Sequence, residues 1–204
     1  AALTAAGAEG SRSGLLYGFG LHLNVEVAGP GVPDILPVLT AYALLEDLLR
    51  YGDPIDSSRR LLPFADPYPR AFVDVLVEMS DSDLDEVTRL YLRHNPTRNR
   101  GLDVLPLLAW LDEAQVAEAL GGLGAVSARP AWHYRLPDSR VGEPDWSVTR
   151  EWSRWVMVER VASDDALLDR LRGDWQRHRG ALLTVQSDWR AHVTGVLRHE
   201  GVAP

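Results

Sequence analysis

Residues able to do chemistry concentrate in two short alternating stretches far apart in the chain. In Phe19-Gly20-Leu21-His22-Leu23-Asn24-Val25-Glu26-Val27, a strand places His22, Asn24 and Glu26 on one face and Leu21, Leu23 and Val25 on the other. In Ala131-Trp132-His133-Tyr134-Arg135-Leu136, His133 and Arg135 share one face and Trp132, Tyr134 and Leu136 the opposite one. A sheet built from both would have one packed face and one face able to bind cations, phosphates or carboxylates. An antiparallel sheet can also simply turn a polar face to water. Solvated faces are dominated by Lys, Glu, Thr and Ser, so His, Asn, His and Arg favour a site.

A third stretch, from Asn95 to Asp112, opens with Asn95-Pro96-Thr97-Arg98-Asn99-Arg100-Gly101 and runs into an apolar helix. Two arginines and two asparagines there form a candidate anion cradle beside a positive helix terminus. The same residues could instead cap two helices and sit in water. Their company with the two His-bearing strands favours the cradle.

Composition narrows the chemistry further. The 204 residues contain no cysteine, which excludes thiol nucleophiles, disulfides, iron–sulfur clusters and cysteine-based zinc sites. All 21 Lys+Arg residues are arginine. Without lysine there is no Walker-type phosphate lysine and no Schiff base, so anions fall to the bidentate arginine fork. A net charge of −8 with no basic stretch argues against nucleic acid. The absence of an 18-residue apolar run and of a signal-peptide pattern predicts a soluble cytoplasmic protein that does not engage membranes.

The elements that position these groups read as α+β. Gly29-Pro30-Gly31 is a turn, and Asp34 caps a helix that turns Ile35, Leu39, Tyr42, Leu45 and Leu49 inward and ends at Gly52-Asp53-Pro54. A Pro-rich connector, Leu62 to Pro69, precedes a short helix near Arg70 to Met79. Ser82-x-x-Asp85 reads as a capping box opening the next helix, on which His94 is an end or packing residue. Asn95-Pro96 stops that helix. Helix resumes after Ser147, with Trp152, Trp155 and Val156 expected in the core. Beyond Ser163 a stripe of Leu168, Leu171, Trp175, Leu182, Val185, Trp189 and Val193 needs a partner surface, on this chain, on a second copy or on another protein. The domain reading is a flexible segment 1–14, an α+β domain 15–162 and a helical extension 163–204.

Gly18-Phe19-Gly20-Leu21-His22-Leu23-Asn24, the Asn95 to Asp112 block, and Trp132-His133-Tyr134-Arg135-Leu136-Pro137 with its following Trp-rich helix together resemble the putative amidoligase family, relatives of glutamine synthetase and glutamate-cysteine ligase. The resemblance spans most of residues 15 to 160 and rests on the order and spacing of the three blocks. It implies a glutamine-synthetase-like catalytic fold that joins a carboxylate to an amine through an acyl phosphate, with ATP and magnesium as cofactors and small molecules or peptides as substrates. It makes His22, Asn24, His133 and Asn99 the cofactor-binding residues, with Asn95 shaping the loop. His22 and Glu26 become the candidate metal ligands, and Arg135, Arg98 and Arg100 the catalytic groups that neutralise the carboxylate or the moving phosphoryl group. Many relatives carry glutamate where this chain has His133, and metal-binding glutamates on strands ahead of the position of His22. Their lack here suggests the C-terminal portion of a longer ligase. Two other readings stand beside it: an interaction module, which could pair through the C-terminal helix, and a metal-dependent hydrolase built on His22 and His133.

Overall fold

A computed structural model describes residues 5–7, 20–52, 66–80, 82–181 and 185–202. Among these the architecture is α+β: a small antiparallel sheet packed by eight helices. Three strands, β1 (Leu23–Glu26), β2 (Leu102–Asp103) and β3 (Ala131–Tyr134), lie in the order β1-β3-β2. The helices are α1 (Val32–Gly52), α2 (Arg70–Leu76), α3 (Leu84–His94), α4 (Leu105–Leu111), α5 (Glu113–Leu120), α6 (Val148–Ala162), α7 (Asp165–Gly180) and α8 (Gln186–His199). No helix among the described residues is long and apolar enough to cross a membrane.

The register aligns the two sequence blocks. Asn24 lies opposite His133 and Glu26 opposite Ala131 across β1 and β3, while Asp103 of β2 lies opposite His133 from the other side. Directly opposed residues share a face, so the polar groups of all three strands point the same way. Pairing continues beyond the strands through Leu21 N–H to Pro137 O (3.0 Å) and Val27 N–H to Pro130 O (3.0 Å). Phe19, at the start of the alternating stretch, lies outside the described residues. In β1 the alternation holds as Leu23 and Val25 buried, Asn24 and Glu26 exposed. As the central strand, β3 is buried along its whole length. Its alternation therefore survives in residue chemistry and not in exposure.

The apolar face rests on α1 and α6. Tyr134 meets Tyr42 and Trp155 at 5.9 and 5.4 Å between ring centroids, and Trp132 meets Trp155 at 6.3 Å. Ile35, Leu36, Leu39, Tyr42, Leu44, Leu45 and Leu49 are buried, so α1 is apolar around most of its girth, as befits a helix enclosed by sheet and helices. Its turn is secured by the Gly31 N–H donating to Asp34 Oδ2 at 3.2 Å.

Several local expectations shift. The cap of α3 is Asp83, whose Oδ1 accepts from Glu86 N–H at 2.8 Å; Ser82 lies one residue too early. The two-residue β2 interrupts the predicted passage from arginine loop to helix, because Leu102 and Asp103 pair with β3 before α4 begins. In α6, capped by Ser147, Trp155 is buried, but Trp152 is 44% exposed. The inward stripe there is Glu151, Arg154, Trp155, Val158 and Ala162. An ion pair replaces the expected tryptophan: Arg154 Nη1 meets Glu151 Oε2 at 3.1 Å, and Arg154 Nη2 caps the Leu49 carbonyl near the end of α1.

The C-terminal stripe divides into two helices and packs on this chain. Leu168, Leu171, Trp175, Trp189 and Val193 are buried in the same core as the sheet. Trp175 Nε1 donates to Asp74 Oδ1 (2.9 Å) and Trp189 Nε1 to the Leu44 carbonyl (3.0 Å). Val185, expected in the stripe, is instead the N-cap of α8 and is 55% exposed. Leu182 lies outside the described residues.

Candidate functional site

The site is built from the three strands upward. Asp103 is fully buried, and its carboxylate takes three donors: Arg98 Nε at 3.0 Å, His133 Nδ1 at 3.2 Å and the Leu105 N–H at 3.3 Å. A buried carboxylate needs this many hydrogen-bond partners to offset the hydration it has lost. Beyond it, His133 Nε2 faces His22 Nδ1 at 3.4 Å. Asp103, His133 and His22 thus form one continuous polar line running from the buried edge of the sheet to its exposed one.

The floor beneath that line is made rigid by tyrosines. Tyr68 Oη donates to the Leu102 carbonyl at 2.7 Å, and the Val104 N–H donates to Tyr91 Oη at 3.1 Å. These bonds clamp β2 from behind and aim Asp103 at the polar face. Burial pushes the hydroxyl pKa of Tyr42, Tyr68, Tyr91 and Tyr134 upward, so they remain neutral and available as donors. Behind them Glu46 accepts from the Tyr68 N–H at 2.8 Å and from Arg50 Nη2 at 3.2 Å. Burial raises its pKa, with Arg50 and the Tyr68 N–H opposing the rise. Gly101 is required here: a Cβ would lie 2.5 Å from Tyr42 Oη.

The arginines divide. Arg98 reaches across Asp103 to the Ala125 carbonyl, and Arg135 Nη1 donates to the Arg98 carbonyl, so both belong to the face. Arg100 turns the other way, to the carbonyls of Pro67 (2.7 Å) and His94 (3.4 Å). Asn95 is fully buried, and Asn99 lies in the loop with its N–H on Thr97 Oγ1 at 3.2 Å. The positive end of α4 that an anion would seek is met by the Asp103 carboxylate itself, through Leu105 N–H.

Two contributors were missed in the sequence reading. Asp103 is a lone acid in the apolar run Gly101-Leu102-Asp103-Val104-Leu105, a signal available to inspection. Arg129, whose Nε donates to Asn24 Oδ1 at 3.1 Å, sits in an unremarkable loop with no such signal. With it, three guanidiniums (Arg98, Arg129, Arg135) stand among the carboxylates Asp103, Glu26 and Asp138 around this end of the sheet, and guanidiniums are the groups here suited to anions.

The two candidate metal ligands lie apart. His22 and Glu26 are four steps along an extended segment, about 13 Å, and His22 adjoins His133 instead. Among the described residues no group of three His, Cys, Asp or Glu side chains is placed to hold a metal ion. Donor chemistry separates His22, just ahead of β1, from Glu26 at its end as well. Magnesium prefers oxygen and is commonly held by one or two carboxylates plus substrate phosphates, which Glu26 fits. An imidazole pair does not.

Fold and site together define an α+β protein with an arginine-, histidine- and carboxylate-bearing face on a small antiparallel sheet. The chain belongs to the family described as putative amidoligase enzyme, whose model matches residues 1–157. The three blocks that compose the face all fall inside that span. No curated protein and no solved structure matches the chain.

Proposed function

We propose that this amidoligase joins a carboxylate to an amine at the expense of ATP, on the polar face of the sheet. The observation that carries the reading is the convergence of His22, Asn24, His133, Asp103, Arg98 and Arg135, from three separate sequence blocks, on one side of β1-β3-β2. Amide formation from a carboxylate needs that carboxylate activated, and the anionic groups involved need fixed positive partners. Arg98, Arg135 and the newly found Arg129 are such partners. Their guanidiniums are held by Asp103, backbone carbonyls and Asn24, so their orientation is set before any ligand arrives. Glu26 would hold a magnesium ion carried by nucleotide phosphates, the ion supplying charge neutralisation. Arg100 acts as a clamp between the loop, Pro67 and His94.

Of the apolar C-terminal stripe, a motive for an interaction module, Leu168, Leu171, Trp175, Trp189 and Val193 are covered by α1, α2 and α6 of the same chain. The ligase reading is tested by calorimetric titration with ATP, with and without magnesium, followed by measurement of ADP release across carboxylate and amine pairs. Magnesium-dependent binding that Arg129→Ala and Arg135→Ala each abolish, in variants that still melt cooperatively, supports the reading. Absence of nucleotide binding to the wild-type chain overturns it.

A further inference from the structure

We infer that His22 marks the place of the amine on this face: its Nε2 accepts an N–H of the attacking amine and then takes the proton, with His133 and Asp103 as positioning residues behind it. The inference rests on the ligase reading for what the amine does next, and on hydrogen-bond polarity alone for where it sits.

The polarity of three consecutive groups is forced from the buried end outward. Asp103 is fully buried, ion-paired to Arg98 Nε at 3.0 Å and bonded by the Leu105 N–H at 3.3 Å. A carboxylate paired with a guanidinium has nothing to donate, so His133 Nδ1, 3.2 Å from Asp103 Oδ2, carries the proton of that bond. A neutral imidazole has one N–H, which leaves a lone pair on His133 Nε2. That lone pair faces His22 Nδ1 at 3.4 Å. Two facing lone pairs would repel, so the neutral His22 holds its proton on Nδ1 and keeps Nε2 as an acceptor. The ring planes meet at 79° with centroids 5.1 Å apart, so the rings touch through nitrogens and not through stacked faces. His133 is 5% exposed and takes its orientation from these partners, whereas His22 stands at the exposed edge.

Whatever group meets His22 Nε2, from protein or from substrate, must therefore donate. Ionised carboxylates and phosphoryl groups present only acceptors, so they are left to the guanidiniums of Arg98, Arg129 and Arg135. An amine presents N–H groups. The polarity of the face thus sorts the two halves of an amide-forming pair, with the nucleophile at the His22 edge. In the step itself the amine nitrogen bonds to the carbonyl carbon of the acyl phosphate, the C–O bond to phosphate breaks, and its electron pair leaves with the phosphate. One proton of the nitrogen passes to His22 Nε2. The positive charge gained by that imidazole is shared with His133 and balanced by Asp103, the part a buried carboxylate plays behind a general base. Release of the product returns the proton to water.

The test is nitrogen-15 NMR on the full chain labelled at its 6 histidines. Methoxyamine, an amine that is neutral at physiological pH, serves as the donor probe, and acetate as the acceptor-only probe. In the free protein His22 and His133 should both carry the proton on Nδ1, the minor tautomer of free neutral histidine. Methoxyamine should shift the His22 Nε2 resonance and acetate should not, with His94, His178, His192 and His199 as internal references. Asp103→Asn, and independently His133→Phe, should release the His22 tautomer, an effect that a merely structural Asp103 would not transmit through His133. With a productive carboxylate and amine pair from the ADP-release screen, His22→Ala should slow amine-dependent turnover by about 100-fold or more. A wild-type His22 protonated on Nε2 overturns the proposal. So does an Nε2 resonance that methoxyamine leaves in place or that acetate shifts as far, and so does undiminished turnover in His22→Ala. Nucleotide binding is read separately by calorimetry: a chain that binds ATP but fails the NMR test loses the amine site alone, whereas one that passes it without binding ATP loses the ligase reading.

Discussion

Replacing Asp103 by Asn tests the architecture of the site at its root. The carboxylate accepts from Arg98 and His133 on Oδ2 and from the Leu105 N–H on Oδ1. An amide of the same shape has one oxygen. If that oxygen faces Arg98 and His133, the amide NH2 is turned on the Leu105 N–H; if it faces Leu105, two donors meet two donors. Either arrangement leaves at least one buried donor without an acceptor, at about 1–3 kcal/mol, and weakens a charge-assisted bond. Arg98 recovers part of its loss by hydration, since its side chain is 30% exposed. The net destabilisation is then about 2–3 kcal/mol, seen as a lower urea midpoint with unchanged slope and a fall of about 5–10 °C in melting temperature. Nitrogen-15 NMR supplies a second readout, because His133 should lose its fixed Nδ1–H tautomer. A variant that loses less than about 0.5 kcal/mol and keeps that tautomer would refute the claim that Asp103 organises the face.

Three further outcomes follow from the packing. Gly101→Ala should cost about 1–3 kcal/mol in urea unfolding, since the new methyl meets Tyr42 Oη at 2.5 Å and Tyr42 is fully enclosed; a neutral result would mean the loop yields freely. Trp155→Ala should lose about 3–5 kcal/mol, whereas Trp152→Ala should stay within about 0.5 kcal/mol, and equal losses would contradict the inward face assigned to α6. For Glu46 burial raises the folded-state pKa, so ionisation is disfavoured in the fold: wild-type stability, measured against Glu46→Gln, should fall as pH rises from the ordinary carboxyl value through the raised one. A difference between the two that does not change across that window would show that Arg50 and the Tyr68 N–H fully offset the burial.

What could be read from the chain follows the physics of each signal. The strict alternation around His22 and His133 was legible because a two-residue period is imposed by strand geometry itself, and the observed register sets Asn24 against His133 as that reading requires. The α1 stripe and the stop at Asn95-Pro96 were legible for the same local reason. Trp152 was misplaced because hydropathy assigns tryptophan inward, while the Glu151–Arg154 pair, tied to the Leu49 carbonyl, claims that face in three dimensions. Arg129 was invisible for a related cause: its partner, Asn24, is 105 residues away. Nor could spacing decide which way Arg98 and Arg100 turn, since residues two apart share a side only in an extended strand, and these two lie in the loop ahead of β2, where tertiary partners set their directions.

That divergence bears on how the site can be dissected. Arg98 and Arg135 hold loops as well as facing the sheet, through Ala125 and through the Arg98 carbonyl. Removing either changes local geometry and local charge together, so lost activity alone could not apportion the two. Glu26 is exposed, and Asn24 is tied to one arginine. A substitution at Glu26 perturbs charge with little structural cost, and at Asn24 it loosens Arg129 alone. Comparing Glu26→Gln with Arg98→Ala therefore separates electrostatics from scaffolding: a site that works by charge responds to both, whereas a site that works by loop geometry responds only to the second.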